Sequence, residues 1–445
     1  MRSNRREVLR ALSGLMAGSL LSRSAWGEHW PPATQPRATS GDTAAEPKWS
    51  ESFGITVGAK KGDLIGDSDK VIQAGVDYVA RMGGGTVRIL PGTYRLRNSV
   101  FLRSGVRLLG SEAESILVKE PMIEAKLAGD SDAYDQEITF ADARDLRVGD
   151  GVCIRAGNPF HTGSIVLKRT LVARDGNRFK LDRALGEDIW LSKSPTVSTL
   201  FPLLTAEKTS DLAVENVTLD GNKANNGNLG GNYAGCIWFQ DCARVRIRGV
   251  VARNYNGDGI SFQTCHDTAV TDCHCRDNVD LGLHPGTGSQ RPVIRGNRLE
   301  RNRIGLYVCW GVHYGLVEKN VMADNRDFGI SIGHRDNNNV IRDNEVIRSG
   351  TIGVLFRPEH GKGYTARDNL LEGNRIVDSG AENGIGIDVR GFTESNTIAR
   401  NRIVETRGPA QRIGVRLAKE CGDVRLIDNT IEGFAIPVSD LRGKG

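Results

Sequence analysis

From about Thr209 the chain repeats one pattern: an Asn, a Gly, then a short run in which apolar and polar residues alternate. The glycines opening these runs are Gly259, Gly282, Gly305, Gly329 and Gly353, at steps of 23, 23, 24 and 24. The runs are Ile260-Ser261-Phe262, Leu283-His284-Pro285, Leu306-Tyr307-Val308, Ile330-Ser331-Ile332 and Val354-Leu355-Phe356. Ile387-Asp388-Val389 and Val415-Arg416-Leu417 continue them across longer loops. Alternation of period two marks a strand, and the unit is too short for a helical hairpin. Leucine-rich repeats share the period, but their fixed leucines are missing. The pattern predicts an all-β parallel solenoid, each unit one coil, with side chains passing alternately into the lumen and out of it. Asparagines keep the same beat on two corners, Asn254, Asn278, Asn302 and Asn325 on one and Asn297, Asn320, Asn344, Asn374, Asn401 and Asn429 on the other. Stacked there, they satisfy turn amides that no strand ladder reaches.

An open solenoid end exposes strand edges and lumen. Upstream, Ser68 or Asp69 can cap a helix with Ile72, Val76 and Val79 on one face, closed by Gly83-Gly84-Gly85 and followed by a strand from Thr86 to Leu90. This stretch resembles the N-terminal capping region of the pectate-lyase superfamily, and with the repeats the resemblance covers Ile55 to Pro121 and Thr209 to Val438. It implies a right-handed parallel β-helix and a carbohydrate substrate, since the superfamily holds mainly polysaccharide lyases, hydrolases and epimerases.

The expected organisation is a signal peptide at 1–27, a Pro-, Ala- and Thr-rich flexible linker at 28–52, the cap and first coils at 53–123, a small β-rich insertion at 124–198 and the main β-helix at 199–445. The first segment resembles a twin-arginine export signal: Asn4 to Arg10 reads NRREVLR, an apolar run follows from Ala11 to Leu21, and Ala25-Trp26-Gly27 offers small residues for cleavage. That run is too short to span a bilayer. The resemblance implies export to the periplasm or the medium, and no stable membrane span in the mature protein.

Charge changes the picture little. The formal net charge is +5, and the first 27 residues hold five arginines against one glutamate, so the remainder is close to neutral. Lys and Arg are scattered, which argues against a nucleic-acid partner. Eight cysteines in an exported chain permit disulfides. Cys242 and Cys265 fall one above the other, either bridged or as free thiols. Cys273-His274-Cys275 has no second Cys/His pair at zinc-site spacing, so it reads as structure rather than metal.

The register assigns side chains. Lumen positions stay apolar in the coils from Ile237/Phe239 to Val354/Phe356. The outward column is then Trp238, Ser261, His284, Tyr307, Ser331, Leu355, Asp388 and Arg416, and a second one holds Gln240, Gln263, Gly286, Cys309, Gly333, Arg357, Arg390 and Ala418. Solvent-facing solenoid strands usually carry small or charged residues, so this series suggests a ligand groove. His284, Tyr307, His334 and Arg357 are the candidate catalytic residues. Trp238, as an exposed stacking platform, and Gln263, Asp258, Arg335, Asp388 and Arg390 are the candidate substrate contacts.

Breaking a uronate polymer by β-elimination needs a base for the proton at C5, α to the carboxylate, and positive charge for the resulting enolate. His284 or Tyr307 fits the base and acid, and Arg357, Arg390 or His334 the carboxylate. The leading expectation is an exported lyase on a uronate-containing, acidic polysaccharide. Alternatives are a hydrolase, a C5-epimerase and a non-catalytic glycan-binding solenoid. Hydrolysis would use paired carboxylates such as Asp280 and Asp327, although Asp at coil corners commonly forms turns. Mannuronan C5-epimerases carry Tyr-Gly-(Phe/Ile)-Asp-Pro-His in a comparable coil, and Leu281-Gly282-Leu283-His284-Pro285-Gly286 is similar in its Gly and Pro frame only. No catalytic residue carries over from that family. Acidic ligands do not cluster in the outward column, so no cofactor or tightly held metal is expected; calcium bridging a substrate carboxylate stays open.

Overall fold

The computed structural model describes Trp49 and residues 52–443. The segment read as a signal peptide and nearly all of the linker lie outside the described residues. The rest is a right-handed parallel β-helix. Three long parallel sheets of 13, 11 and 11 strands run its length, one strand per coil in each. The N-terminal end is closed by α1 (Asp69–Arg81), where Ile72, Val76 and Val79 are buried on the first coils. Gly85, at φ 140°, permits the turn into the first strand: a Cβ there would lie 1.9 Å from the Phe53 carbonyl oxygen.

The predicted register holds. In the sheet that carries the site, Ile237, Ile260 and Leu283 pair in one lumen column, and Trp238, Ser261 and His284 pair in the adjacent outward one. The outward column continues through Tyr307, Ser331, Leu355, Asp388 and Arg416. Phe239, Phe262, Leu306, Ile330 and Val354 fill the lumen without exposure. Because adjacent coils are ~4.8 Å apart, each apolar side chain packs on the same position above and below.

Two asparagine ladders lie where the sequence puts them. In the longer one, Asn297 donates from Nδ2 to Asn320 Oδ1 at 2.9 Å, and the relay continues through Asn344, Asn374 and Asn401 to Asn429. The other runs from Asn278 through Asn302 to Asn325. Asn254 does not belong to it. Its backbone takes the left-handed conformation, and Tyr255 fills the ladder position, its N–H donating to Asn278 Oδ1. A third ladder, Asn339–Asn369–Asn396, runs along a further corner.

Residues 124–198 form a six-stranded sheet with antiparallel pairing and its own buried cluster, including Ile138, Phe140, Ile154, Phe179 and Leu181. Its longest strand, Ser164–Asp175, lies against the outward face of the site-bearing sheet. Lys168 Nζ sits 3.0 Å from the centroid of the Trp238 ring and donates to the Tyr233 carbonyl at 2.7 Å. The insertion is thus a roof over part of the sheet. All eight cysteines are free, with Cys242 and Cys265 buried on neighbouring coils.

Candidate functional site

Between roof and sheet lies an open cleft of about 950 Å³. Its floor is the outward face of the strands Asp258–Gln263, Leu281–Gly286 and Ile304–Tyr307; Arg155, Ser164, Ile165 and Val166 of the insertion form one wall. The loop ahead of the strand Gly235–Gln240 adds Leu229 to Tyr233.

His284 is at the centre. Leu283 and Pro285 point into the lumen, so the imidazole between them faces out. Asp258 Oδ2 is 2.9 Å from His284 Nδ1, and Asp258 Oδ1 accepts the Leu281 N–H at 3.1 Å. With Nδ1 committed to the carboxylate, Nε2 is the nitrogen left to exchange a proton with a ligand. Burial raises the Asp258 carboxyl above its ordinary value, and the His284 hydrogen bond opposes that rise. Gly231 closes over the pair: a Cβ there would fall 1.6 Å from Asp258 Oδ2. Ser261 donates to the Gly231 carbonyl at 2.7 Å and holds that loop down.

Tyr307 stands one coil further on. Its ring meets His284 edge to face, with centroids 5.3 Å apart. Arg357 lies over the other side, its guanidinium carbon 4.4 Å from the Tyr307 centroid. Arg357 is itself fixed, donating to Ser331 Oγ and to the Val308 carbonyl, both at 2.9 Å. Burial pushes the Tyr307 phenol up to about 12 despite the guanidinium, so Tyr307 holds its proton at any ordinary pH. The floor therefore pairs a nitrogen that can accept a proton with a phenol that can donate one.

The other sequence-predicted residues are placed differently. Trp238 is not exposed: at 3% accessibility it is covered by Lys168 of the roof, so it offers no platform for a sugar. Gln263 is buried beside Gly286 and donates to Ser261 Oγ at 3.0 Å, which makes it a brace behind the floor. His334 and Arg335 follow the end of their strand, where alternation no longer governs direction. His334 stacks on Trp310, and Arg335 on Tyr364; neither lines the cleft. Asp388 is fully buried between Arg390 and Arg416, with Arg416 binding both its oxygens at 2.8 and 2.6 Å. That cluster lies outside the cleft lining and is a saturated ion pair. Asp280 lines the cleft and Asp327 does not; both lean on Arg303, at 3.4 Å each, a ladder of alternating charge rather than a carboxylate pair across a ligand.

Sequence reading missed Arg155, Arg303 and Trp310 in the lining, and the role of Asp258 as the partner of His284. A signal for Asp258 was present. The residue preceding the repeat glycine is Leu281, Ile304, Phe328 and Ile352 in the next four coils, and only Asp258 breaks that apolar column.

The residues 203–363 match a family model described as periplasmic copper-binding protein (NosD). Among the described residues no group of three or more His, Cys, Asp or Glu side chains is placed to hold a metal ion. Cys273-His274-Cys275 follows strand alternation: both thiols are buried, and His274 Nε2 faces outward 2.9 Å from Glu300. Among the described residues the donors present thus do not fit copper. Among the described residues no helix is long and apolar enough to cross a membrane.

A mannuronan C5-epimerase of Pseudomonas putida is 29% identical over 120 residues, 26% of this chain and 22% of its own length. Two mannuronan C-5 epimerase A-modules of Azotobacter vinelandii superpose with TM-scores of 0.50 and 0.49 at 16% identity, covering 86% of this chain and 95% and 97% of theirs. The parallel β-helix is therefore a fold shared with the first of these modules, and the chain spans about a fifth of the curated relative it matches.

Proposed function

We propose that the protein is an exported enzyme that abstracts the C5 proton of a uronate residue in an acidic polysaccharide and cleaves the chain by β-elimination. The observation that carries this is the Asp258–His284–Tyr307 group on the cleft floor. His284 Nε2 takes the proton, Asp258 holds the tautomer and balances the imidazolium, and Tyr307 protonates the departing glycosidic oxygen. Arg155 lines the same cleft and suits a uronate carboxylate, whose neutralisation makes the C5 proton more acidic. The partial likeness to a mannuronan C5-epimerase supports a uronan as the substrate class.

Epimerisation is the second reading, because it shares the first proton abstraction. It needs a proton returned from the opposite face of the sugar. His284 and Tyr307 touch, so no pyranose fits between them and both address the same face, which favours elimination. Hydrolysis is less well served, since Asp280 and Asp327 share Arg303 and Asp258 is committed to His284.

The test is incubation of purified protein with a panel of uronans. Ultraviolet absorbance of an unsaturated product is expected. A changed epimer ratio at constant chain length would replace the lyase assignment with epimerisation, and binding without any product would remove the enzymatic reading.

A further inference from the structure

Trp310 lies three residues beyond Tyr307 and lines the same cleft, yet it is 54% exposed. Its backbone is left-handed, with φ at 64°. An exposed indole gives the fold little hydrophobic stabilisation, and a bulky residue in that conformation is disfavoured. Among the equivalent turns, Asp241 and Gly288 suit the left-handed region, whereas Thr264 and Arg335 occupy it against the same steric preference as Trp310. Neither burial nor backbone preference accounts for a Trp here.

The surroundings brace it in one orientation. His334, from the next coil, stacks on one face of the indole, with centroids 4.5 Å apart and planes at 21°. Tyr364 packs on His334 at 5.3 Å, and the Arg335 guanidinium lies 4.5 Å over Tyr364. Glu359 reaches to 3.5 Å from His334 Nδ1. Four side chains from three successive coils thus form a stack that ends on the indole. His334 covers one face of the indole, and about half of the residue's surface remains accessible. A rigid, pre-oriented aromatic face binds a ring without losing rotamer freedom.

We infer that Trp310 is a stacking platform for a pyranose ring of the same polysaccharide, a subsite beyond the one at which His284 and Tyr307 act. This rests on the reading that the cleft holds a polysaccharide. His334 and Arg335 take the role of positioning residues for the indole. A C–H-rich sugar face packs on an aromatic ring, and the platform selects for chain length rather than for charge.

The test measures binding of size-graded oligomannuronates and oligogalacturonates, from disaccharide to octasaccharide, to the full chain and to Trp310→Ala and Trp310→Phe. Affinity in the unsubstituted protein is expected to step up at the length that reaches Trp310. Trp310→Ala is expected to lose about tenfold in affinity beyond that length and little below it, and Trp310→Phe to retain most of the step. Identical length profiles for the unsubstituted protein and Trp310→Ala would overturn the inference, as would the absence of any length-dependent binding. Product formation from the same oligosaccharides separates the two readings: a length step lost in Trp310→Ala without any product supports the platform and removes the enzyme, whereas turnover with no step removes only the platform.

Discussion

Two stretches of one outward column can be compared directly. At Ser261, His284 and Tyr307 the column lies in a cleft beneath the insertion; at Asp388 and Arg416, later in the solenoid, it does not contribute to that cleft. Both carry ionisable side chains in the same register, so composition alone ranks them as equals. They differ in what is left over. Asp388 is satisfied by two arginines, each bonded to it. His284 has one nitrogen bonded to Asp258 and the other free for a ligand, next to a phenol that keeps its proton. A ladder of closed ion pairs holds coils together; an open valence beneath a roof is available for chemistry.

The sharpest break of this comparison is a set of three substitutions. His284→Ala is expected to lower turnover of a uronan by about 10²- to 10⁴-fold, the usual contribution of a positioned acid–base group, measured at a temperature where circular dichroism shows the variant folded, since the buried Asp258 also loses its partner. Asp258→Asn should lose turnover as well, because an amide cannot balance an imidazolium. Arg416→Ala should do the reverse. Turnover is expected to stay within about twofold, while stability in urea falls by about 3 kcal/mol because the fully buried Asp388 loses its bidentate partner. Loss of turnover in Arg416→Ala at temperatures where the chain stays folded would erase the distinction between the two stretches.

A smaller effect sharpens the boundary between them. Asp336 is completely buried beneath Arg357, and burial pushes its carboxyl up to about 7 although the guanidinium opposes the shift. The folded chain therefore holds this proton more tightly than the unfolded one. The associated stability is fully present below about pH 4 and is lost as pH rises through about 7. Melting temperature is expected to decline across that interval, and Asp336→Asn should flatten the decline. The slope is the readout rather than the absolute value, since the amide also alters the bonds to the Val312 and Gly333 N–H groups.

What the sequence made legible follows from where alternation holds. Inside the strands, the apolar lumen positions set the direction of every neighbour, and His284, Tyr307 and Arg357 were placed on the outward face from that alone. Past the strand end the rule lapses, so His334 and Arg335 were read as cleft residues when they turn toward Tyr364 and Trp310. Trp238 was read correctly as outward but wrongly as exposed. The roof that buries it comes from residues some 70 positions earlier, and no local pattern announces a contact at that separation. Asp258 was legible only in part: its place by the site was visible, whereas its bond to His284 joins two neighbouring coils, which the alternation within one strand does not reveal.

The asparagine ladders have a consequence for how such a molecule can change in length. Every amide in the row from Asn297 to Asn401 donates toward the following coil and accepts from the one before. The row is in phase with itself after each coil, wherever it is cut. A whole coil can be removed or duplicated beyond Arg357 and the donors and acceptors on either side still match, whereas a fraction of a coil leaves them out of step. The cleft lies at the roofed end, so a change of whole coils beyond Arg357 leaves its lining residues in place.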